Sequence, residues 1–238
     1  EQEYLDAVRL DLEQSLPLIW GRKIHTVFIG GGTPSLMSAA GLDRLLSDVR
    51  TLLPLEINAE ITMEANPGTF EIEKFRHYRD SGVNRLSIGI QSFNAGHLKS
   101  LGRIHDEREA LRAVEIAHST FDNFNLDLMY ALPSQTLAQA EHDLKTALSF
   151  APPHLSLYHL TMEPNTVFAK YPPALPDDDA SADMQDMIAE RMQAAGFDHY
   201  EVSAYAQPGR RAKHNLNYWN FGDYLGIGAG AHSKISFP

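Results

Sequence analysis

Apolar residues along this chain alternate between two kinds of pattern. Five short, nearly continuous runs rich in Val, Ile, Leu, Phe and Tyr read as buried strands. They are Thr26 to Ile29, Ala59 to Met63, Arg85 to Ile90, Phe124 to Met129 and Leu155 to Leu160. Between them the spacing turns helical. Gln2 to Trp20 reads as an amphipathic helix, and Ser38 precedes Leu42, Leu45, Leu46, Val49, Leu52 and Leu53, close to an i, i+3, i+4, i+7 stripe. Thr69 predicts an N-cap for a helix over Phe70 to Asp80, with Gly82 as its stop. Glu107 to Ser119 and Leu137 to Phe150 fill the next two gaps. A later helix is expected from about Ala180 to Ala195, and the Asp177-Asp178-Asp179 triplet ahead of it reads as a solvated linker and helix start. Tyr224 to His232 reads as a sixth strand whose glycines allow close backbone approach.

Strand–helix units of roughly 25 to 40 residues suit βα repeats around a parallel sheet. A doubly wound sheet and a (β/α) barrel both satisfy that alternation, and the polar residues separate them. Gly30-Gly31-Gly32-Thr33 follows the first strand, Glu64 ends the second, Gln91 ends the third, Asp127 lies near the end of the fourth and Thr161 follows the fifth. In a barrel such ends converge on one mouth, whereas an open sheet spreads them along an edge. The expected fold class is therefore α/β, of the barrel kind.

Three glycines after a strand expose backbone N–H and C=O groups that can cradle an amine, a carboxylate or a phosphate, or simply make a tight connection. A dinucleotide fingerprint fails because Ser35 stands where its third glycine belongs, and no Lys-Ser/Thr pair follows for a P-loop. Glu64, before the turn Asn66-Pro67-Gly68, and Asp127, inside the apolar run Asn125 to Tyr130, are carboxylates at buried strands. Each needs a partner, either a ligand or a structural cation such as Arg85. Gln91 and Arg103 complete a set able to bind vicinal hydroxyls and a carboxylate. His214 opens the packet His214-Asn215-Leu216-Asn217-Tyr218-Trp219, which reads either as a loop covering the barrel or as a grip on a planar ligand, with His214 as donor or axial ligand.

Composition narrows the chemistry. The chain has 238 residues, 43% hydrophobic and 21% charged, which suits one large globular domain or at most two small ones. A formal net charge of −11 argues against nucleic acid as a partner. There is no apolar run of the ~18 residues a membrane helix needs. With no cysteine, these residues alone cannot build a disulfide scaffold, a thiolate nucleophile or a cysteine-ligated cluster. Eleven histidines bring no His-Glu-x-x-His pattern, so no protein-bound metal ion is expected from this chain, and nothing resembles a Ser-His-Asp triad. The sequence opens on Glu1 within a helical pattern and stops after a Gly-rich run, which reads as a piece of a longer protein.

The motifs Gly30-Gly31-Gly32-Thr33-Pro34-Ser35, Met63-Glu64-Ala65-Asn66-Pro67-Gly68, Ser87 to Phe93, Leu101-Gly102-Arg103, Asn125 to Met129 and Leu132-Pro133 occur in that order. Together they resemble the radical S-adenosylmethionine (SAM) proteins related to oxygen-independent coproporphyrinogen III oxidase. Glu163-Pro164-Asn165-Thr166 and the His214 packet resemble the haem chaperone branch of that family. The resemblance implies a partial (β/α)6 TIM-like barrel with SAM across its mouth. It implies that Gly31, Gly32 and Thr33 hold the methionyl amine, that Glu64 and Asp127 bind SAM hydroxyls or other polar groups, and that Gln91 and Arg103 serve its carboxylate. Thr161 and His232 would line the adenosine side, and His214 would bind haem.

The family's three cluster cysteines lie in a CxxxCxxC motif ahead of the first helix, so a [4Fe–4S] cluster is implied for the intact protein only. Residues 1–238 would be the radical SAM core barrel without its cluster loop and C-terminal domain. The implied function is cytoplasmic haem delivery, with haem-accepting proteins as partners. The alternative is coproporphyrinogen III oxidation in porphyrin biosynthesis, and no catalytic residue is assigned.

Overall fold

The computed structural model describes residues 1–69 and 72–237. Their elements, in chain order, are α1 (Gln2–Ser15), β1 (Ile24–Ile29), α2 (Ala39–Leu52), β2 (Leu55–Ala65), α3 (Ile72–Ser81), β3 (Arg85–Gln91), α4 (Ala95–Ser100) and α5 (Glu107–Thr120). Then come β4 (Phe124–Tyr130), α6 (Leu137–Ser149), β5 (His154–His159), α7 (Val167–Lys170), α8 (Asp178–Ala194), β6 (Asp198–His199), β7 (Ala204–Ala206) and α9 (Lys213–Trp219). They fall into two compact units. One comprises Glu1–Glu64, Glu71–Arg85 and Ala212–Pro238; the other comprises Ala65–Phe70 and Leu86–Arg211.

In the first unit β1 and β2 pair in parallel, with Val27 opposite Ile61 and Ile29 opposite Met63. Helix α2 starts where Ser38 accepts a hydrogen bond from the Gly41 amide, and its apolar stripe buries Leu42, Leu46 and Val49. It packs on α1, whose Leu5 and Leu12 are buried, and on α3. Gly82 ends α3 with φ +105°, the left-handed turn that a glycine stop supplies. The expected Phe70 start lies outside the described residues; Thr69 closes the short turn Pro67–Thr69.

In the second unit β3, β4 and β5 pair in parallel. Leu86, Ile88, Leu126, Leu155 and Leu157 supply its core, under helices whose buried faces are mostly small: Ala110, Ala113 and Ala117 on α5, Ala140 and Ala147 on α6. Both helices open with capping boxes, Asp106 with Glu109 and Thr136 with Gln139. Asp143 of α6 is buried and accepts from Ser92 Oγ at 2.6 Å and the Phe93 amide at 2.8 Å, clipping the loop after β3 to the helix. Desolvation raises its pKa, against the hydrogen bonds from Ser92 and Phe93.

Three expectations need correction. Helix α1 stops at Ser15 rather than Trp20, because Pro17 brings a 3-10 turn over Leu16–Leu18 and leaves Trp20 90% exposed. Tyr224 to His232 is not a strand. Tyr224 alone bridges to Lys234, and a Cβ on Gly226 would collide with the His232 backbone. The glycines do permit close approach there, yet they offer nothing to pack in a sheet. The last strands are instead β7, antiparallel to β5, and β6, antiparallel to β7. Finally, Asp127 sits at the middle of β4, not near its end.

Candidate functional site

In the first unit the glycine loop is shaped around Glu64. A Cβ at Gly30 would stand 2.7 Å from the Phe28 ring and 3.1 Å from the Glu64 carboxylate, so a side chain is excluded there. Gly31 takes φ +100°, and its amide donates to Glu64 Oε2 at 3.2 Å. The carboxylate thus has a backbone donor. Gly32 is exposed with open space where a Cβ would be, and Thr33 leads into the turn Pro34–Leu36. Carbonyls and a carboxylate beside an unobstructed backbone suit an ammonium group, which donates to all of them.

The same unit builds the His214 packet. At the start of α9 the amides of Lys213 and His214 each donate to the buried Glu60 carboxylate at 3.2 Å. This fixes the helix start and aims the imidazole at Phe28, on which it stacks with centroids 4.5 Å apart and planes 18° apart. Tyr218 meets the imidazole edge-on at 5.0 Å, and Tyr224 lies against Tyr218 in turn. Burial, with the positive Arg85 adding to it, lowers the His214 pKa to about 4. The ring is therefore neutral at pH 7, with a nitrogen lone pair available to a metal ion. Tyr218 and Trp219 stay 43% and 51% exposed. The packet thus both covers the fold and offers aromatic surface. His232, also in this unit, is exposed.

The second unit holds Gln91, Arg103 and Asp127. Gln91 closes β3 with φ +68°, unusual for a side chain of its size, and is 8% exposed. Its amide nitrogen and Asn66 Oδ1 would lie 2.9 and 3.1 Å from a Cβ on Gly89, so that glycine makes room for both. Arg103 reaches Asn66 Oδ1 at 3.5 Å. Desolvation lowers the Arg103 pKa, and the nearby Asp127 carboxylate opposes that shift; with much of its surface in solvent the guanidinium keeps its charge. Asp127 Oδ1 accepts from Asn125 Nδ2 at 2.8 Å and Oδ2 from Ser87 Oγ at 3.1 Å. Thr161 follows β5 and is exposed.

Several supporting residues escaped sequence reasoning. His25, His77, His118 and His142 are on the surface as a polar composition suggests, but His97, His105 and His154 are buried. The imidazole of His105 bonds the Ile90 carbonyl at 3.1 Å, next to the left-handed Gln91. Desolvation lowers its pKa, with the Ile90 carbonyl opposing. The one signal available was its place two residues after Arg103. His154, Asn125 and Ser156 form a buried polar cluster that could have been read from the alternation Asn125-Leu126-Asp127, which puts both polar residues on one face of β4.

Residues 6–147 match the Radical SAM superfamily. The chain belongs to the radical SAM superfamily. It is 53% identical to the heme chaperone HemW of Escherichia coli, over 99% of this chain and 63% of that protein. It is 51% identical to the heme chaperone HemW of Haemophilus influenzae, over 100% of this chain and 63% of that protein. Among solved structures it superposes on the radical SAM enzyme coproporphyrinogen III oxidase (HemN) of E. coli. The TM-score is 0.85 at 26% identity, covering 98% of this chain and 58% of that one. The α/β partial barrel of the radical SAM type expected from the motifs is therefore its fold class. The chain spans about 63% of the length of these chaperone relatives.

The superfamily implies SAM and a [4Fe–4S] cluster. The donor set here does not fit the cluster, since the chain has no cysteine. Among the described residues no group of three or more His, Cys, Asp or Glu could hold a metal ion. Within the first unit the Gly30–Gly31 loop with the Glu64 carboxylate has the chemistry to receive an amine; within the second, separately, the Asp127 carboxylate can accept from hydroxyls and the Arg103 cation can donate to a carboxylate. Among the described residues no helix is long and apolar enough to cross a membrane.

Proposed function

We propose that this chain is the SAM-binding core of a haem chaperone. His214 carries the reading: a neutral imidazole in contact with Phe28 and Tyr218 offers an iron ligand and aromatic faces for a porphyrin plane. The 53% and 51% identities to heme chaperones, against 26% to the oxidase, support the same branch. On the SAM side, the Gly31 to Thr33 backbone receives the methionyl amine, and Gln91 with Arg103 receives the carboxylate. Glu64 and Asp127 accept from hydroxyls or other polar groups, while Thr161 and His232 line the adenosine. Bound in the intact protein with its cysteines, the [4Fe–4S] cluster would supply an anchoring iron for SAM. We further propose that the protein works in the cytoplasm and passes haem to acceptor proteins.

The experiment uses the full-length protein with its cluster reconstituted. It should show a haem Soret band that His214→Ala shifts or weakens, and it should leave coproporphyrinogen III unchanged in the presence of SAM and a reductant. Decarboxylation of that substrate, together with haem binding indifferent to His214, would establish the oxidase instead. Haem adheres to many apolar surfaces, so the comparison with His214→Ala decides, not the band itself.

A further inference from the structure

A chain of hydrogen bonds crosses the interior of the second unit and ends on Asp127. The Tyr200 hydroxyl meets His154 Nε2 at 2.7 Å, and His154 Nδ1 meets Asn125 Oδ1 at 2.6 Å. Ser156 Oγ also donates to Asn125 Oδ1, at 3.1 Å. Asn125 Nδ2 then donates to Ser87 Oγ and to Asp127 Oδ1, both at 2.8 Å, and Ser87 Oγ donates to Asp127 Oδ2 at 3.1 Å. His154, Asn125 and Ser156 are 0%, 2% and 3% exposed.

The carboxylate sets the direction of every bond behind it. An ionised Asp127 only accepts, so Asn125 must turn its NH2 toward it, and turning the amide over would set oxygen against oxygen. Asn125 Oδ1 then faces His154, which must carry its proton on Nδ1, leaving Nε2 to accept from Tyr200. Ser87 and Asn125 grip one carboxylate oxygen each, which fixes the carboxylate plane and the directions of its remaining lone pairs. Asn125 is fixed in turn by His154 and Ser156 from neighbouring β5, where His154 stands opposite Asn125 and Ser156 opposite Asp127. Burying this many polar groups in a strand layer gains little stability over apolar packing, since each only exchanges one hydrogen bond for another.

We propose that Asn125, held by His154 and Tyr200, is a positioning residue that fixes the Asp127 carboxylate for a hydroxyl of SAM. This rests on the assignment of Asp127 to the SAM site.

The test is SAM titration calorimetry on the full-length, cluster-reconstituted protein, with four forms: wild type, Asp127→Asn, Asn125→Leu and the double variant. Asn125→Leu should weaken SAM binding about tenfold, the scale of one hydrogen bond to a charged group. In the Asp127→Asn background the same change should cost no further affinity, because its effect passes through the carboxylate. If Asn125→Leu does not fold, Asn125→Thr suits a strand, and its γ hydroxyl ends one bond short of the Asn125 Nδ2 that bonds Asp127; it should behave alike. Equal losses with and without Asp127 overturn the positioning role while leaving Asp127 in the site. Wild-type affinity in Asp127→Asn overturns both.

Discussion

His214 titrates far from where an exposed histidine would, and the sign of its effect on stability follows. Unfolded, the imidazole has a pKa near 6.5; folded, burial first and Arg85 second bring it to about 4. Between those values the unfolded chain binds more protons than the folded one, so stability falls as pH drops from about 6.5 to about 4. Above that window His214 contributes no pH dependence, and the full loss below it is about 3 kcal/mol. In chemical denaturation, His214→Phe should abolish that part of the acid destabilisation. Haem affinity should stay flat between about pH 5.5 and 8, because no proton has to leave the ring before it ligates iron. An affinity rising with pH through the ordinary histidine range would mean that the ring is charged in the fold. Gly30 gives a second test at this scale. A methyl group there meets the Phe28 ring and the Glu64 carboxylate. Gly30→Ala should therefore weaken SAM binding by displacing Glu64, which calorimetry on the full-length, cluster-reconstituted protein would read.

At the scale of elements, alternating patterns located β1 to β5 and most helices to within a few residues. Those elements are long enough for their period to show, and Ser38 and Gly82 act through side-chain or backbone chemistry that reads locally. What stayed hidden depends on contacts distant in sequence. Strands β6 and β7 have two and three residues, too short for any period, and exist because β5 offers an edge to pair with. Gly226 and its neighbours looked strand-like through Leu225 and Ile227, but the backbone of His232 occupies the space beside Gly226. The site divided in the same way. Glycines and lone carboxylates at strands announce themselves, while His154 and Tyr200 matter only once β4, β5 and the chain after β6 are side by side. Asp143 is another such case. It is a buried acid on α6 whose partners, Ser92 and the Phe93 amide, lie about fifty positions earlier. Removing it in Asp143→Ala leaves two buried donors without their acceptor, so thermal or denaturant melting should report a loss of about 2–4 kcal/mol. A loss below 0.5 kcal/mol would show that the clip is not needed to hold the loop after β3.

At the scale of the whole molecule, His214 and Asp127, one residue proposed for each ligand, have separate means of support. His214 depends on Glu60, Phe28 and Tyr218, all within the first compact unit, whereas Asp127 depends on Asn125, Ser87 and His154, all within the second. Substitutions that share no partners usually act additively, within about 0.5 kcal/mol. In the full-length protein His214→Ala should therefore lower haem affinity while leaving SAM affinity within about twofold, and Asp127→Asn should do the reverse. Absorbance titration with haem and calorimetry with SAM, run on the same two variants, read both affinities. A chaperone that uses SAM to gate haem would depart from this pattern, since a coupling free energy between the two sites acts reciprocally. SAM added at saturation would then change the haem affinity of the unmodified protein, and by the same factor haem would change the affinity for SAM. Additive variants together with an unchanged haem affinity in saturating SAM would identify SAM as a structural element of the barrel. A change of fivefold or more would make it a regulator of haem release.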